Sequence, residues 1–165
     1  MKISLFTKEG ERAGSSEKVE ALKAGHIRGV ARILIFNDVG KVFLQKRNKD
    51  KQVAPNTWDI SVGGHVDEGE TFAEAAKREA QEELGIQNLE LKEITTFYLE
   101  EPSKYGTGKS FDTLYSAVYS EEIRLREEEI QDGEWVDLDT LRKEIKKSPE
   151  KFAPGLKRSL EEFFK

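Results

Sequence analysis

Glu79, Glu82 and Glu83 place three carboxylates at the spacing i, i+3, i+4, which on a helix is a single surface. Each like-charged pair at that spacing costs roughly 0.2–0.5 kcal/mol in a bare helix. On a wheel of about 100° per residue, Phe72, Ala73, Ala76, Ala80 and Leu84 fall on one apolar arc. Glu83 falls inside that arc, and Glu79 and Glu82 lie on its flank. A solvated acidic face is the ordinary reading of such charge in a Glu-rich chain, but it would avoid the arc. A partly buried carboxylate needs compensation, and a hard cation such as Mg²⁺ or Mn²⁺ supplies it through oxygen ligands. Arg78, four residues before Glu82 and four after Glu74, is placed to hold one of the carboxylates.

The elements that must position these residues can be read on either side of them. Thr71 and Glu74 form a capping box, and Gly85 supplies the left-handed residue that stops a helix. The helix is therefore expected over about Phe72 to Leu84. Upstream, residues 2–6 and 10–14 suggest a small hairpin, followed by a short helix opening at Ser15 or Ser16 and closing at Gly25. This hairpin extension occupies about residues 1–25. Residues 31–37 and 42–48 flank the turn Asp38–Lys41, and residues 57–64 alternate before ending in Gly63 and Gly64. Two further strands are expected around residues 88–100 and 111–122, joined by a polar loop over 101–110. A short strand at 133–138, a helix capped by Asp139 and a terminal helix complete the chain. Strands on both sides of a central helix, with helices at the end, predict an α/β fold: a sandwich with a mixed sheet, one domain over residues 1–165.

Composition narrows the function. The chain is 36% hydrophobic and 36% charged, with a net charge of −5. That balance argues against a nucleic-acid polymer as partner, while a metal could still attract a small phosphorylated ligand. The absence of cysteine excludes a disulfide framework, a thiolate zinc site and a thiol nucleophile. The first residues lack an apolar signal core, and no apolar run approaches the ~20 residues of a membrane helix. A cytoplasmic enzyme or binding module, with no membrane partner, is the expectation.

Residues 64–86 resemble the Nudix box, G-x5-E-x7-R-E-U-x-E-E-x-G-U, where U is a bulky aliphatic residue. Gly64, Glu70, Arg78, Glu79, Glu82, Glu83, Gly85 and Ile86 fill the pattern, and Ala80 is a small residue at the first U. The resemblance implies the Nudix α/β/α sandwich and a metal-dependent pyrophosphatase acting on a nucleoside diphosphate derivative or related small-molecule diphosphate. It assigns Glu79, Glu82 and Glu83, with the Gly63 carbonyl, to Mg²⁺ or Mn²⁺, and gives Glu70 a role in loop geometry. Arg78 belongs to the same catalytic set. Residues 26–65 extend the likeness to the Nudix branch related to isopentenyl-diphosphate isomerase. There His26 and His65 match metal-binding histidines, but Gly63 stands where the isomerase has its catalytic cysteine. An isomerase-like enzyme and a non-catalytic nucleotide-binding module remain the alternatives. The oligomeric state is open, a homodimer included.

Several residues outside the box are candidates for the same site. Arg47, at a strand end, could reach a diphosphate, and His65 sits in the loop that should face the metal. Glu129, Glu134 or Asp112 could hold the catalytic water. Lys104 or Lys109, in the expected 101–110 loop, could contact phosphate. That loop is not a nucleotide P-loop, because Ser103 stands where the motif needs glycine and strand alternation follows it. Trp58, Phe97, Tyr98 and Trp135 could stack a base, although aromatics at strand spacing are more often core.

Overall fold

Strand β3 (Ile27–Phe36) carries two sets of side chains, and the whole architecture follows from burying both. Ala31, Ile33 and Ile35 point to one layer and Leu34 to the other, all without solvent exposure. In the computed structural model, which describes residues 1–165, β3 is accordingly the central strand. It runs parallel to β8 (Gly106–Val118) along its full length, from Ile27 opposite Lys109 to Phe36 opposite Val118. It is antiparallel to β6 (Val62–His65), to β1 (Lys2–Phe6) and to β4 (Val42–Arg47). β8 pairs with β7 (Lys92–Ser103), β4 with β5 (Trp58–Asp59) and β9 (Ile130–Val136), and β1 with β2 (Arg12–Glu17). One parallel pair among antiparallel ones makes the sheet mixed.

Helix α2 (Phe72–Leu84) covers one face, packing Ala75, Ala76, Ala80 and Leu84 against Ile33, Ile35 and Val62. Helices α3 (Leu138–Lys147) and α4 (Pro154–Phe163) cover the other, packing Leu141, Leu156 and Leu160 against Leu34, Leu44 and Leu114. Two apolar cores separated by a sheet are the α/β/α sandwich expected from the order of elements. The N-terminal hairpin is fastened to the loop before α2. Ser4 donates from its backbone to Val66 O at 2.8 Å and from its hydroxyl to Asp67 O at 3.0 Å, and Arg12 donates to Glu70 O.

Four local expectations change. The short helix α1 (Lys18–Ala24) is preceded by Glu17 with no side-chain cap, because Ser15 and Ser16 are spent pairing β2 with β1. The stretch from Trp58 to Gly64 is two strands. It leaves β4 after Asp59 and joins β3 at Val62, and Ser61 bridges the gap, accepting from Ile35 N–H and donating to Phe43 O. The polar loop over 101–110 is instead a continuation of both strands to a tight turn at Lys104 and Tyr105. The cap of α3 is Asp137, which accepts from Thr140 N–H at 3.2 Å; Asp139 sits in the first turn.

Gly155 brings the start of α4 against the guanidinium of Arg32, and a Cβ there would overlap it. Gly155→Ala should therefore lower stability by about 1–3 kcal/mol, or roughly 2–4 °C in Tm per kcal/mol for a chain of this size. A thermal melt showing no decrease would mean that α4 does not seat on Arg32 this closely.

Candidate active site

Helix α2 begins and ends as its sequence requires. Thr71 accepts from Glu74 N–H at 3.1 Å, Glu74 accepts from Thr71 N–H at 2.9 Å, and Gly85 turns left-handed at φ 69°. The preceding loop is organised by one side chain. Arg78 donates through Nε to Glu70 at 2.7 Å and through Nη2 to Glu70 at 2.9 Å and to His65 O at 2.9 Å. Its Nη1 reaches Glu79 at 2.7 Å and Glu82 at 3.3 Å. Glu70 in turn accepts from Asp67 N–H at 2.8 Å, which fixes the turn. Burial raises the Glu70 pKa, but the Arg78 hydrogen bonds outweigh it and leave the carboxylate more acidic than usual.

The three α2 glutamates divide into two and one. Glu83 is 4% exposed and accepts from Gln45 Nε2 at 2.7 Å. Glu79, one helical turn earlier, lies on the same side of α2. Burial pushes the pKa of Glu83 well above the carboxylate range, and the neighbouring Glu79 charge pushes it further. Burial likewise raises Glu79, against the Arg78 charge. Ionising both at once is therefore costly. Glu82 is drawn to Arg78 and is half-exposed, so no three acidic or histidine side chains converge at once. The three still share one side of α2, as their spacing requires: one Nη1 of Arg78 reaches both Glu79 and Glu82. Gly64 makes the close approach possible: a Cβ there would overlap the Glu79 carboxylate.

Glu79 and Glu83 form one wall of a cavity of about 120 Å³, with Gly63, Gly64 and His65 beside them. Lys18, Arg28, Arg47 and Lys51 also line it. Arg47 donates to Val53 O at 3.0 Å and pairs with Asp59 at 3.3 Å; Glu129 closes the cavity, 3.7 Å from Lys51. Burial, then the charges of Lys51 and Arg47, lowers the Lys18 pKa. Burial and the charge of Arg28 hold His65 well below the usual histidine range, so its ring is neutral. Arginine only donates, so the 2.9 Å contact of Arg28 Nη1 with His65 Nε2 occupies that nitrogen's lone pair.

Of the residues singled out from sequence, Arg47, Gly63, His65, Glu79, Glu83 and Glu129 meet at this cavity, while Arg78 and Glu82 brace its edge. His26 is exposed at the end of α1, where its N–H closes the helix on Ala21 O. Glu134 faces solvent on β9, and Lys109 pairs opposite Glu100 on the β7–β8 ladder. Asp112 is buried and bound to Arg32 at 2.5 Å, behind the cavity wall. Phe97 and Trp58 pack in the α4-side core, Trp135 packs on Phe43, and Tyr98 bonds Glu100 at the surface. Sequence reasoning missed Lys18, Arg28, Arg32 and Lys51. For Arg28 and Arg32 a signal existed: both interrupt a strand that is otherwise apolar, just as Glu83 interrupts a helical arc.

The family model described as the NUDIX domain matches residues 26–160. An uncharacterised Nudix hydrolase of Pseudomonas aeruginosa is 34% identical over 147 residues, spanning 89% of this chain and 85% of its own. An isopentenyl-diphosphate Delta-isomerase of Aromatoleum aromaticum is 27% identical over 154 residues, spanning 92% of this chain and 80% of its own. A crystal structure of a Deinococcus radiodurans protein superposes with a TM-score of 0.82 at 25% identity, over the whole of both chains.

The raised pKa of Glu83 has a thermodynamic sign. The folded, metal-free protein binds a proton that the unfolded chain releases at the ordinary carboxylate value. Stability therefore falls as pH rises from about 4.5 toward the folded pKa. Glu83→Gln should raise the metal-free Tm near neutral pH by a few degrees, on the order of 1 kcal/mol, and flatten that fall. Melts at a series of pH values in chelator check this; an unchanged profile would show that Glu83 ionises freely.

Proposed function

The chain belongs to the Nudix domain family and is a Nudix hydrolase. From that premise we propose that it cleaves a diphosphate linkage in a nucleoside diphosphate derivative or related organic pyrophosphate, by water attack at phosphorus and with Mg²⁺ or Mn²⁺. The observation that carries this reading is a cavity of about 120 Å³ lined by Glu79 and Glu83, which burial makes costly to ionise, together with Lys18, Arg28, Arg47 and Lys51. An acid pair that is costly to ionise is suited to a dication, and a cationic wall is suited to phosphate oxygens.

The donor set fits a hard metal. Glu79, Glu83 and Glu82 with the Gly63 carbonyl are all oxygen donors, and the glycine at 64 leaves the Glu79 carboxylate room that any other residue would fill. A divalent ion bound there neutralises phosphate oxygens and lowers the pKa of an attacking water. The chain's own side chains do the rest. Arg78 holds Glu79 and the loop carbonyl of His65 in position. Arg47, Lys51 and Lys18 bind the phosphate that faces away from the acids. Glu129, at the cavity mouth, accepts the proton of the water. The neutral His65 adds a wall without adding charge.

The isomerase alternative is favoured by the Aromatoleum relative, but the cavity disfavours it. Only Val30, Val53 and Ala54 of its lining are hydrophobic, which offers little to a prenyl chain, and Gly63 has no side chain to move a proton. A binding module would not need the strained acid pair. Phosphate release with Mg²⁺ across nucleotide sugars, dinucleotides, nucleoside diphosphates and prenyl diphosphates tests the proposal. Turnover of a nucleoside diphosphate compound is expected, whereas isopentenyl conversion or binding without turnover would overturn it. Glu82→Gln or Glu83→Gln should lower kcat by roughly two to three orders of magnitude with the circular dichroism unchanged. Activity near the parental level in either variant would remove that residue from the ligand set.

A further inference from the structure

The cations that line the catalytic cavity differ in how their charge is spent. Arg32 is surrounded by acids, with Asp112 on its Nε, Glu101 at 3.8 Å and Asp59 at 4.0 Å. Arg47 meets Asp59 at 3.3 Å, and Lys51 meets Glu129 at 3.7 Å. Lys18 and Arg28 form no ion pair. Burial lowers the pKa of both, but an arginine keeps its proton in a protein. Arg28 is therefore the fixed positive charge of the cavity that no carboxylate cancels by contact.

Its position is built rather than incidental. Arg28 is 3% exposed and sits on β3 between β1 and β8, where Leu5 and Ser110 pair with it. Gly108 on β8 leaves room for the guanidinium: a Cβ there would come to 3.2 Å from Nη2. Both hydrogen bonds of the side chain go to neutral acceptors. Nε donates to Lys109 O at 3.2 Å and Nη1 to His65 Nε2 at 2.9 Å. A neutral acceptor orients a guanidinium and leaves its charge intact, whereas a carboxylate would orient and neutralise it. Glu101 and Asp112, the acids whose charge Arg28 feels most, are engaged by Arg32 instead. A buried charge left in this state is costly, and an anion entering the cavity offsets that cost.

We infer that Arg28 is a binding residue whose unspent charge draws the diphosphate into the cavity, and that His65 is its support and not a metal ligand; the assignment rests on the hydrolase reading above. With the lone pair of Nε2 taken by Arg28, the ring carries its proton on Nδ1, so neither nitrogen is open to a metal. The ring's contribution is a neutral acceptor at a fixed place, which a residue without an imidazole can reproduce.

Calorimetry tests the two halves separately, with imidodiphosphate as a diphosphate that resists hydrolysis and Mn²⁺ alone as the cation. Arg28→Gln should weaken imidodiphosphate binding, measured at saturating Mg²⁺, roughly 10–30-fold. It should not weaken Mn²⁺ binding, because losing a positive neighbour favours a cation. Arg28→Lys should recover most of the anion affinity. His65→Leu, which removes the acceptor, should weaken imidodiphosphate several-fold on its own and add nothing to Arg28→Gln. His65→Gln, which keeps a neutral acceptor, should restore it, and neither His65 variant should weaken Mn²⁺. In turnover, Arg28→Gln should raise KM for the preferred diphosphate compound by the same factor and change kcat much less. Unchanged imidodiphosphate affinity in Arg28→Gln, a parallel loss of Mn²⁺ binding in it, or an equal loss in Arg28→Lys overturns the proposal. Markedly weaker Mn²⁺ binding in His65→Gln overturns it too, as does a parent protein that binds no imidodiphosphate. Should Arg28→Gln not fold, the His65 variants decide, and equal imidodiphosphate affinity in His65→Leu and His65→Gln overturns the proposal. A parent protein that hydrolyses no diphosphate refutes the hydrolase reading, while the calorimetry still decides Arg28.

Discussion

Two neighbouring carboxyl groups that burial makes costly to ionise set the terms for this structure. Glu83 is buried by the packing of α2 on the sheet, and Glu79 lies against it because Gly64 lets the helix come that close. Burial raises the pKa of both acids, and the Glu79 charge raises that of Glu83 further. Their neighbours explain why the arrangement persists. Gln45 donates to Glu83 and Arg78 to Glu79, so each acid keeps a hydrogen bond. On the proposed function, such a site trades stability in the free protein for readiness to take a cation.

The remainder of the fold keeps that pair facing the right surroundings. β3 and β4 meet in only one paired position before diverging, and the crossing segment at Ile60 and Ser61 fills the gap. The crossing delivers Gly63 and Gly64 to the acid pair and Asp59 to Arg47. On the opposite side, the N-terminal hairpin holds the loop before α2 and its helix contributes Lys18. The family match begins only at residue 26, so this cation comes from outside the matched region.

Much of this was legible in the sequence where a local rule applied. The bounds of α2 follow from Thr71, Glu74 and Gly85, and the burial of Glu83 follows from the wheel. The mixed sheet followed from the order of strands and helices. Other features depended on distant partners. Ser15 and Ser16 look like helix caps until β1 is present to pair with them, and residues 101–110 look like a loop until β7 and β8 are zipped to their ends. The cationic wall was the largest omission. Lys18, Arg28 and Lys51 lie on three separate elements, and a lysine on a short polar helix carries no mark of where it points. The pairing of Glu82 with Arg78, by contrast, was legible from their i, i+4 spacing on one helix.

The most direct test is calorimetric titration of Mn²⁺ near neutral pH in two buffers of different ionisation enthalpy. A cation that displaces a proton from the Glu79–Glu83 pair should bind saturably and release protons to the buffer. Glu83→Gln should weaken that binding by roughly 10–100-fold and abolish the release. Absence of saturable binding, or binding of equal strength in the variant with no proton released by either protein, would contradict the account.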